Sequence, residues 1–71
     1  MNEPKKENLA VGLVVEALPS THFRIEITGG EVVLAYLGGK MKIHKIKVLL
    51  GDRVEVVLDP YGGKARIVKR L

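Results

Sequence analysis

The chain has 71 residues, a net charge of +4 and no cysteine. A chain this short makes one small domain that buries only about 60% of the surface exposed on unfolding, which argues against a deep catalytic cleft. The lack of cysteine excludes disulfides and thiolate metal sites and fits a reducing, cytoplasmic compartment, and no apolar stretch approaches the roughly 20 residues of a membrane helix.

The first segments predict a charged arm followed by a strand. Residues 1–8 are rich in charge and have no apolar core of a secretory signal, so we expect a flexible, solvated arm. Residues 9–18 are mostly aliphatic and β-branched and end at Pro19, which is typical of a strand closed by a turn. Gly12, inside this segment, predicts a bulge or bend.

Two further strands should complete a meander. Residues 22–28 alternate polar and apolar side chains, as a strand does with one buried face. The side chains predicted to point inward are Phe23, Ile25 and Ile27. Gly29 and Gly30 supply the positive φ angles of a tight hairpin, after which residues 31–37 return as the third strand.

The segment after the third strand has an ambiguous period. We expect a short helical turn over residues 40–44, in which Met41, Ile43 and Ile46 share one side. The alternative is a strand end in which Ile46, Val48 and Leu50 alternate. Both patterns stop at a glycine turn before residue 53.

The last segments predict two more strands, over residues 53–59 and 65–69. Five short strands with one long connection after the third predict an all-β protein, a five-stranded OB-fold barrel with a short helical turn between strands 3 and 4. An SH3-like barrel is the main structural rival. We assign residues 9–71 to this single OB-fold domain.

The positive charge is concentrated in the second half of the chain. Residues 1–38 have three basic and five acidic side chains, a balance of −2, whereas residues 39–71 have nine basic and three acidic ones, a balance of +6. Such segregation produces a field that attracts polyanions, whereas a purely solubilising role would favour mixed signs. The candidate RNA-binding residues are Lys40, Lys42, His44, Lys45, Lys47, Lys64, Arg66, Lys69 and Arg70.

The aromatic side chains are too few for extensive base stacking. Phe23 belongs to the predicted core. We expect Tyr36 and Tyr61 to be half-buried residues of the barrel and not platforms on which bases stack. Recognition should therefore depend on backbone charge and RNA shape.

Other chemistry has little support in the residues. His22 and His44 lie far apart in sequence, so we predict no metal site, and no cofactor is indicated. The two Gly-Gly-Lys segments lack the spacing of a phosphate-binding loop and predict turns. Ser20 and Thr21 stand beside His22 in the sequence, but neighbouring residues on a strand point to opposite faces, so they do not predict a nucleophile and its base. We therefore expect no enzyme activity.

An ordered series of motifs resembles bacterial translation initiation factor one over about residues 9–70. The series consists of Gly12, the run at residues 16–25, Gly39-Lys40-Met41, Gly51-Asp52-Arg53-Val54, Pro60-Tyr61 and Arg66-Ile67-Val68. The resemblance implies an OB-fold protein at the aminoacyl-tRNA site of the small ribosomal subunit, in contact with ribosomal RNA and a neighbouring ribosomal protein. It also implies cooperation with initiation factors two and three, and blockage of premature tRNA entry without any bond being made or broken. We expect a monomer in the cytoplasm.

The resemblance also carries over residue by residue. It implies RNA contacts by Lys40, Lys42, His44, Lys47 and Arg66. The chain departs from the family pattern where lysines 42 and 47 replace arginines and Lys45 replaces a tyrosine; lysine lacks the planar fork of arginine. The loop at residues 61–65 is one residue shorter than usual.

Two other functions remain open at this point. A general RNA-binding or RNA chaperone barrel of the cold-shock or S1 type would share the fold but would show stacking aromatics on the second and third strands. A protein-interaction module would instead present its basic face to an acidic partner.

Overall fold

The computed structural model describes residues 8–71 and contains a closed five-stranded β-barrel. The strands are β1 (Leu9–Leu18), β2 (His22–Ile27), β3 (Val32–Leu37), β4 (Arg53–Val57) and β5 (Ala65–Arg70), and the helix α1 (Gly39–Ile43) follows β3. Their order around the barrel is β1-β2-β3-β5-β4, antiparallel except for the parallel pair β3–β5. The all-β, five-stranded barrel with one helical turn after β3 is therefore confirmed.

Several ends differ slightly from the prediction. The fourth strand ends at Val57 instead of residue 59, and the fifth runs one residue further, to Arg70. The predicted arm lies outside the described residues except for Asn8, whose carbonyl oxygen accepts a hydrogen bond from the Leu58 amide at 2.7 Å. In the part of the chain that the structure covers, no helix is long and apolar enough to cross a membrane.

Gly12 has a different role from the predicted bulge. It pairs with Ile27 of β2 and with Val54 of β4, at the point where β1 joins both neighbours. A Cβ atom at Gly12 would collide with the Ile25 side chain and lie 2.9 Å from the Glu26 carbonyl oxygen. Glycine is required here by close packing. The β-bulge lies three residues later, where the pairing with β2 shifts between Val14 and Glu16.

The barrel interior is filled by the inward side chains of every strand. Phe23, Ile25 and Ile27 are buried, as their alternation predicts. The other buried hydrophobic residues are Val14, Ala35, Leu37, Met41, Val48, Val54, Val56, Ala65 and Ile67. Gly29 and Gly30 have the positive φ angles predicted for the β2–β3 hairpin, at 104° and 95°.

The connection between β3 and β4 is helical only for one turn. Met41 packs into the core, but Ile43 is 75% exposed, so the predicted apolar side that included Ile43 is wrong. The alternative strand is also wrong, because residues 46–49 have no regular secondary structure and Leu50 is exposed although Val48 is buried. A helix of five residues is too short to present an apolar stripe.

Candidate nucleic-acid interface

The helix α1 is joined to β5 through Gly38. The Gly38 amide donates to the Ile67 carbonyl oxygen at 2.9 Å, and a Cβ atom at this position would lie 2.9 Å from that oxygen and 3.2 Å from Arg66 Cγ. Only glycine allows so close an approach without displacing the strand. The helix therefore begins directly against the last strand.

A shallow groove lies where these two elements meet. It has a volume of about 370 Å³ and is lined by the start of α1 and the middle of β5. Lys40 and Arg66 both line it, although 26 positions separate them in sequence. The structure thus brings one residue from each half of the predicted basic set together at this groove.

A second depression collects three more lysines of the set. Lys42, Lys45 and Lys47 line it over a largely apolar floor that includes Phe23 and Met41. Lys45 has a φ of 53°, in the left-handed region that non-glycine residues seldom adopt, and this conformation turns the chain after α1. All three lysines are exposed and belong to no salt bridge within residues 8–71.

His44 occupies the end of the helix. Its amide donates to the Lys40 carbonyl oxygen at 3.0 Å, which closes the last turn, and its side chain is exposed. The helix end therefore presents His44 to solvent between the lysines on either side.

A cross-strand row on the outer surface connects β2, β3 and β5. His22 lies opposite Tyr36, and Tyr36 lies opposite Arg66. The His22 and Tyr36 rings are 6.5 Å apart and tilted by 44°. The sequence did not indicate His22 as a neighbour of the basic set, because its position across Tyr36 from Arg66 depends on the register of three strands.

Lys64 is held against this row by His22. The His22 Nδ1 atom lies 2.8 Å from the Ser20 carbonyl oxygen, so Nδ1 carries the proton and donates it. The Nε2 atom is then free to accept from Lys64 Nζ, which lies 3.1 Å away. Ser20 contributes its backbone carbonyl to His22, and its hydroxyl has no part in this contact.

The last two basic residues do not line the groove, although Lys69 directly follows Val68, which does. Lys69 faces Glu55 across the strand pair, and Arg70 Nε lies 3.3 Å from Asp52 Oδ2. At about 3.3 Å per residue, Arg70 lies roughly 13 Å along β5 from Arg66. The positive charge of Arg70 is therefore partly compensated at the opposite end of the strand.

The two tyrosines differ in exposure. Tyr36 is half-buried, as expected, but Tyr61 is 94% exposed, so the expectation of a half-buried Tyr61 is wrong. The Asp59 carboxylate accepts hydrogen bonds from the amides of Tyr61 at 2.9 Å and Gly63 at 3.1 Å, which hold the loop open to solvent. Residues 8–71 contain no group of three or more potential metal ligands.

Comparisons with known proteins agree with this arrangement. The family model for translation initiation factor 1A / IF-1 matches residues 1–71. The solution structure of the bacterial translation initiation factor one from the Wolbachia endosymbiont strain TRS of Brugia malayi is similar, with 31% sequence identity and a TM-score of 0.74. That match covers 99% of this chain and 86% of the Wolbachia chain.

The crystal structure of YjeQ from Thermotoga maritima is also similar, with 31% identity and a TM-score of 0.74 over 89% of this chain. The chain spans only 22% of the length of YjeQ, so this likeness concerns one part of that protein.

Proposed function

Because the chain belongs to the translation initiation factor 1A / IF-1 family, we propose that it binds the aminoacyl-tRNA site of the small ribosomal subunit. Family membership makes it a translation initiation factor, a non-enzymatic RNA-binding protein that works on the ribosome. We define the basic side as the surface formed by Lys40, Lys42, Lys45, Lys47 and Arg66. Its geometry supports binding at this site of the subunit.

The observation that carries the proposal is the junction of α1 and β5 at Gly38. This junction places Lys40 and Arg66 on one groove, and the depression beyond the helix adds Lys42, Lys45 and Lys47. Exposed cations grouped over two adjacent shallow depressions suit the irregular phosphate backbone of folded RNA better than a single extended strand. This arrangement favours ribosomal RNA over a general RNA chaperone substrate.

The other candidate residues extend the surface on its borders. His44 lies at the helix end, and Lys64 projects beside Arg66 from the β4–β5 loop. Lys69 and Arg70 are further along β5, where Glu55 and Asp52 offset part of their charge. We therefore assign direct RNA contacts to the first group and long-range attraction to Lys69 and Arg70.

The mechanism is occupancy of a binding site. The described part of the protein measures 29 × 29 × 20 Å, which is large enough to fill a site for a tRNA stem and loop. A monomeric barrel bound there would block premature tRNA entry in the cytoplasm. Initiation factors two and three would then bind neighbouring positions of the same subunit.

Binding of the labelled protein to isolated small subunits, with and without aminoacyl-tRNA, tests this proposal. We expect saturable one-to-one binding that weakens with salt, resists excess single-stranded RNA and displaces tRNA from its site. Equal competition by any single-stranded RNA would instead support the general RNA-binding barrel.

The double variant Lys40→Ala/Arg66→Ala tests the groove. We expect subunit affinity to fall about 30-fold, from the loss of two charge-assisted contacts of about 1 kcal/mol each. The matched control is Lys5→Ala/Lys6→Ala, which removes the same charge outside the candidate set and should change affinity less than about 3-fold. Equal effects of the two double variants would show that net charge, and not the groove, determines binding.

A further inference from the structure

Lys64 has an unusual partner for a lysine at the border of a basic surface. Its Nζ atom lies 3.1 Å from His22 Nε2, and it forms no salt bridge with any carboxylate in residues 8–71. An ammonium group can only donate hydrogen bonds, so this contact requires a neutral imidazole that accepts at Nε2. The position of Lys64 therefore depends on the protonation state of His22.

The His22 ring is fixed from its other side by the β1–β2 turn. Its Nδ1 atom donates to the Ser20 carbonyl oxygen at 2.8 Å, and Thr21 Oγ1 donates to the same oxygen at 2.6 Å. Ser20 and Thr21 have φ angles of 63° and 56°, in the left-handed region that residues other than glycine seldom adopt. Two hydrogen bonds to one carbonyl stabilise this tight turn and orient the ring.

The ring thereby links two parts of the chain that are distant in sequence. Lys64 belongs to the loop before β5, 42 positions after His22. Thr21 of the turn also lines the second depression, the one that collects three lysines near the end of α1. His22 therefore connects the border of that depression to the loop that carries Lys64.

Protonation of the ring would break this link. An imidazolium carries hydrogen on both nitrogens, so Nε2 could no longer accept, and its charge would repel the ammonium group. Histidine ordinarily changes charge between about pH 5 and 8. The titratable and charged groups on the elements around the ring are Glu16 of β1, Arg24 of β2, Tyr36 of β3, Arg66 of β5 and Lys64. Arg24 pairs with Glu16, and Tyr36 separates Arg66 from the ring, so Lys64 is the charged group in hydrogen-bond contact with it.

We propose that His22 is a positioning residue for RNA binding, whose neutral imidazole holds Lys64 at the border of the basic side and whose protonation releases it. This inference rests on the proposed function, because Lys64 acts there as a direct RNA contact. His22 and Arg66 flank Tyr36 in one outward row, and strands lie about 4.8 Å apart, so the held Lys64 starts roughly 10 Å from Arg66.

The benefit of this contact is a smaller loss of entropy on binding. A lysine has four rotatable side-chain bonds, and Lys64 is exposed, so an untethered side chain would have to be ordered by the RNA itself. A side chain already held near its binding position loses less freedom, which raises affinity by about 3-fold. His22 contributes this factor without touching the RNA.

Two substitutions separate the two hydrogen bonds of the ring. His22→Asn keeps a donor near the place of Nδ1 but is too short to reach Lys64, whereas His22→Gln keeps an acceptor near the place of Nε2 and does not titrate. The dispersion of their NMR spectra shows whether both variants are folded.

The first experiment is a double-mutant cycle with Lys64→Met, measured as affinity for isolated small subunits at about pH 8. We expect His22→Asn to weaken binding about 3-fold, Lys64→Met about 5-fold and the combination also about 5-fold, because His22 acts only through Lys64. His22→Gln should restore the affinity lost in His22→Asn. A direct RNA contact by His22, or a role in the fold alone, would make the two effects multiply to about 15-fold, and that result would overturn the inference.

The same cycle at about pH 5.5 tests the release of Lys64. With the imidazole protonated, the effects of His22→Asn and Lys64→Met should multiply. Coupling as strong as at the higher pH would contradict release by protonation.

A second measurement does not depend on the ribosome. In a pH titration of the ¹³C,¹⁵N-labelled full chain by NMR, the Lys64 side-chain signals should shift with the same midpoint as the His22 imidazole. They should lose this shift in His22→Gln. Lys64 signals that do not follow His22 would overturn the inference even if the chain binds subunits, whereas failure of the original chain to bind subunits would overturn the proposed function.

Discussion

The outward faces of β1 and β5 belong to strands of the same barrel that have the same inward packing. Val14 of β1 and Ile67 of β5 are equally buried, and each alternates with outward residues. The outward residues differ completely: Leu13 and Val15 on one side, Arg66 and Lys69 on the other. The inward pattern serves the fold, which accepts any aliphatic of suitable size, whereas the outward pattern reports what each side meets.

The largest effect should come from breaking the framework that both sides share. Gly12→Val places a side chain against Ile25 and the Glu26 carbonyl oxygen, at the point where β1 pairs with both neighbours. We expect a loss of roughly 3 kcal/mol or more in the free energy of unfolding, measured by urea titration. Gly39→Ala is the control, because a Cβ atom there meets nothing within 4 Å. Similar stability of the two variants would contradict the packing role of Gly12.

A smaller effect should be confined to the basic side. Lys42→Ala/Lys47→Ala removes two exposed cations from one depression. We expect subunit affinity to fall about 10-fold and the slope of log affinity against log salt to decrease by roughly 1.5, with unchanged urea unfolding. Unaltered subunit affinity would remove these residues from the interface.

The smallest effect should come from the ion pair on the outward face of β1 and β2, between Glu16 and Arg24. Arg24 and Glu16 have side chains 53% and 54% exposed, so solvent screens their attraction. Arg24→Ala should lower the free energy of unfolding by no more than about 0.5 kcal/mol, again by urea titration. A larger loss, matched by Glu16→Ala, would mean that this face is held by electrostatics and not by the core beneath it.

Much of the fold is predictable because local alternation determines it. In β2 the polar and apolar residues alternate without exception, so its inward side chains are clear from the sequence. The prediction placed a bulge or bend at Gly12 and not after Val14. Val14 and Val15 have the same β-strand propensity, and the shift in pairing is visible only in the register of β1 with β2. The role of Gly12 was missed for a related reason: close approach of three strands has no local signature.

The candidate site was predictable in composition but not in arrangement. The separation of basic from acidic residues along the chain identified the basic residues. The convergence of Lys40 and Arg66, however, depends on the parallel pairing of β3 and β5, which no alternation of polar and apolar residues indicates. His22 and Tyr61 were misjudged because exposure depends on what lies opposite a residue. Nothing packs over Tyr61, and Lys64, distant in sequence, meets His22.

The position of β5 between β3 and β4 has a consequence for the order of assembly. The β1–β3 meander is joined by short turns and can form from local contacts, but the ring closes only when β5 has paired with both β3 and β4. Barrels dominated by such non-local pairings fold slowly, on the order of milliseconds to seconds. The groove beside Gly38 requires that pairing, because β5 forms one of its walls. A chain in which only the meander has formed therefore lacks the groove of the proposed RNA-binding side, which makes affinity for the ribosome a property of the closed barrel.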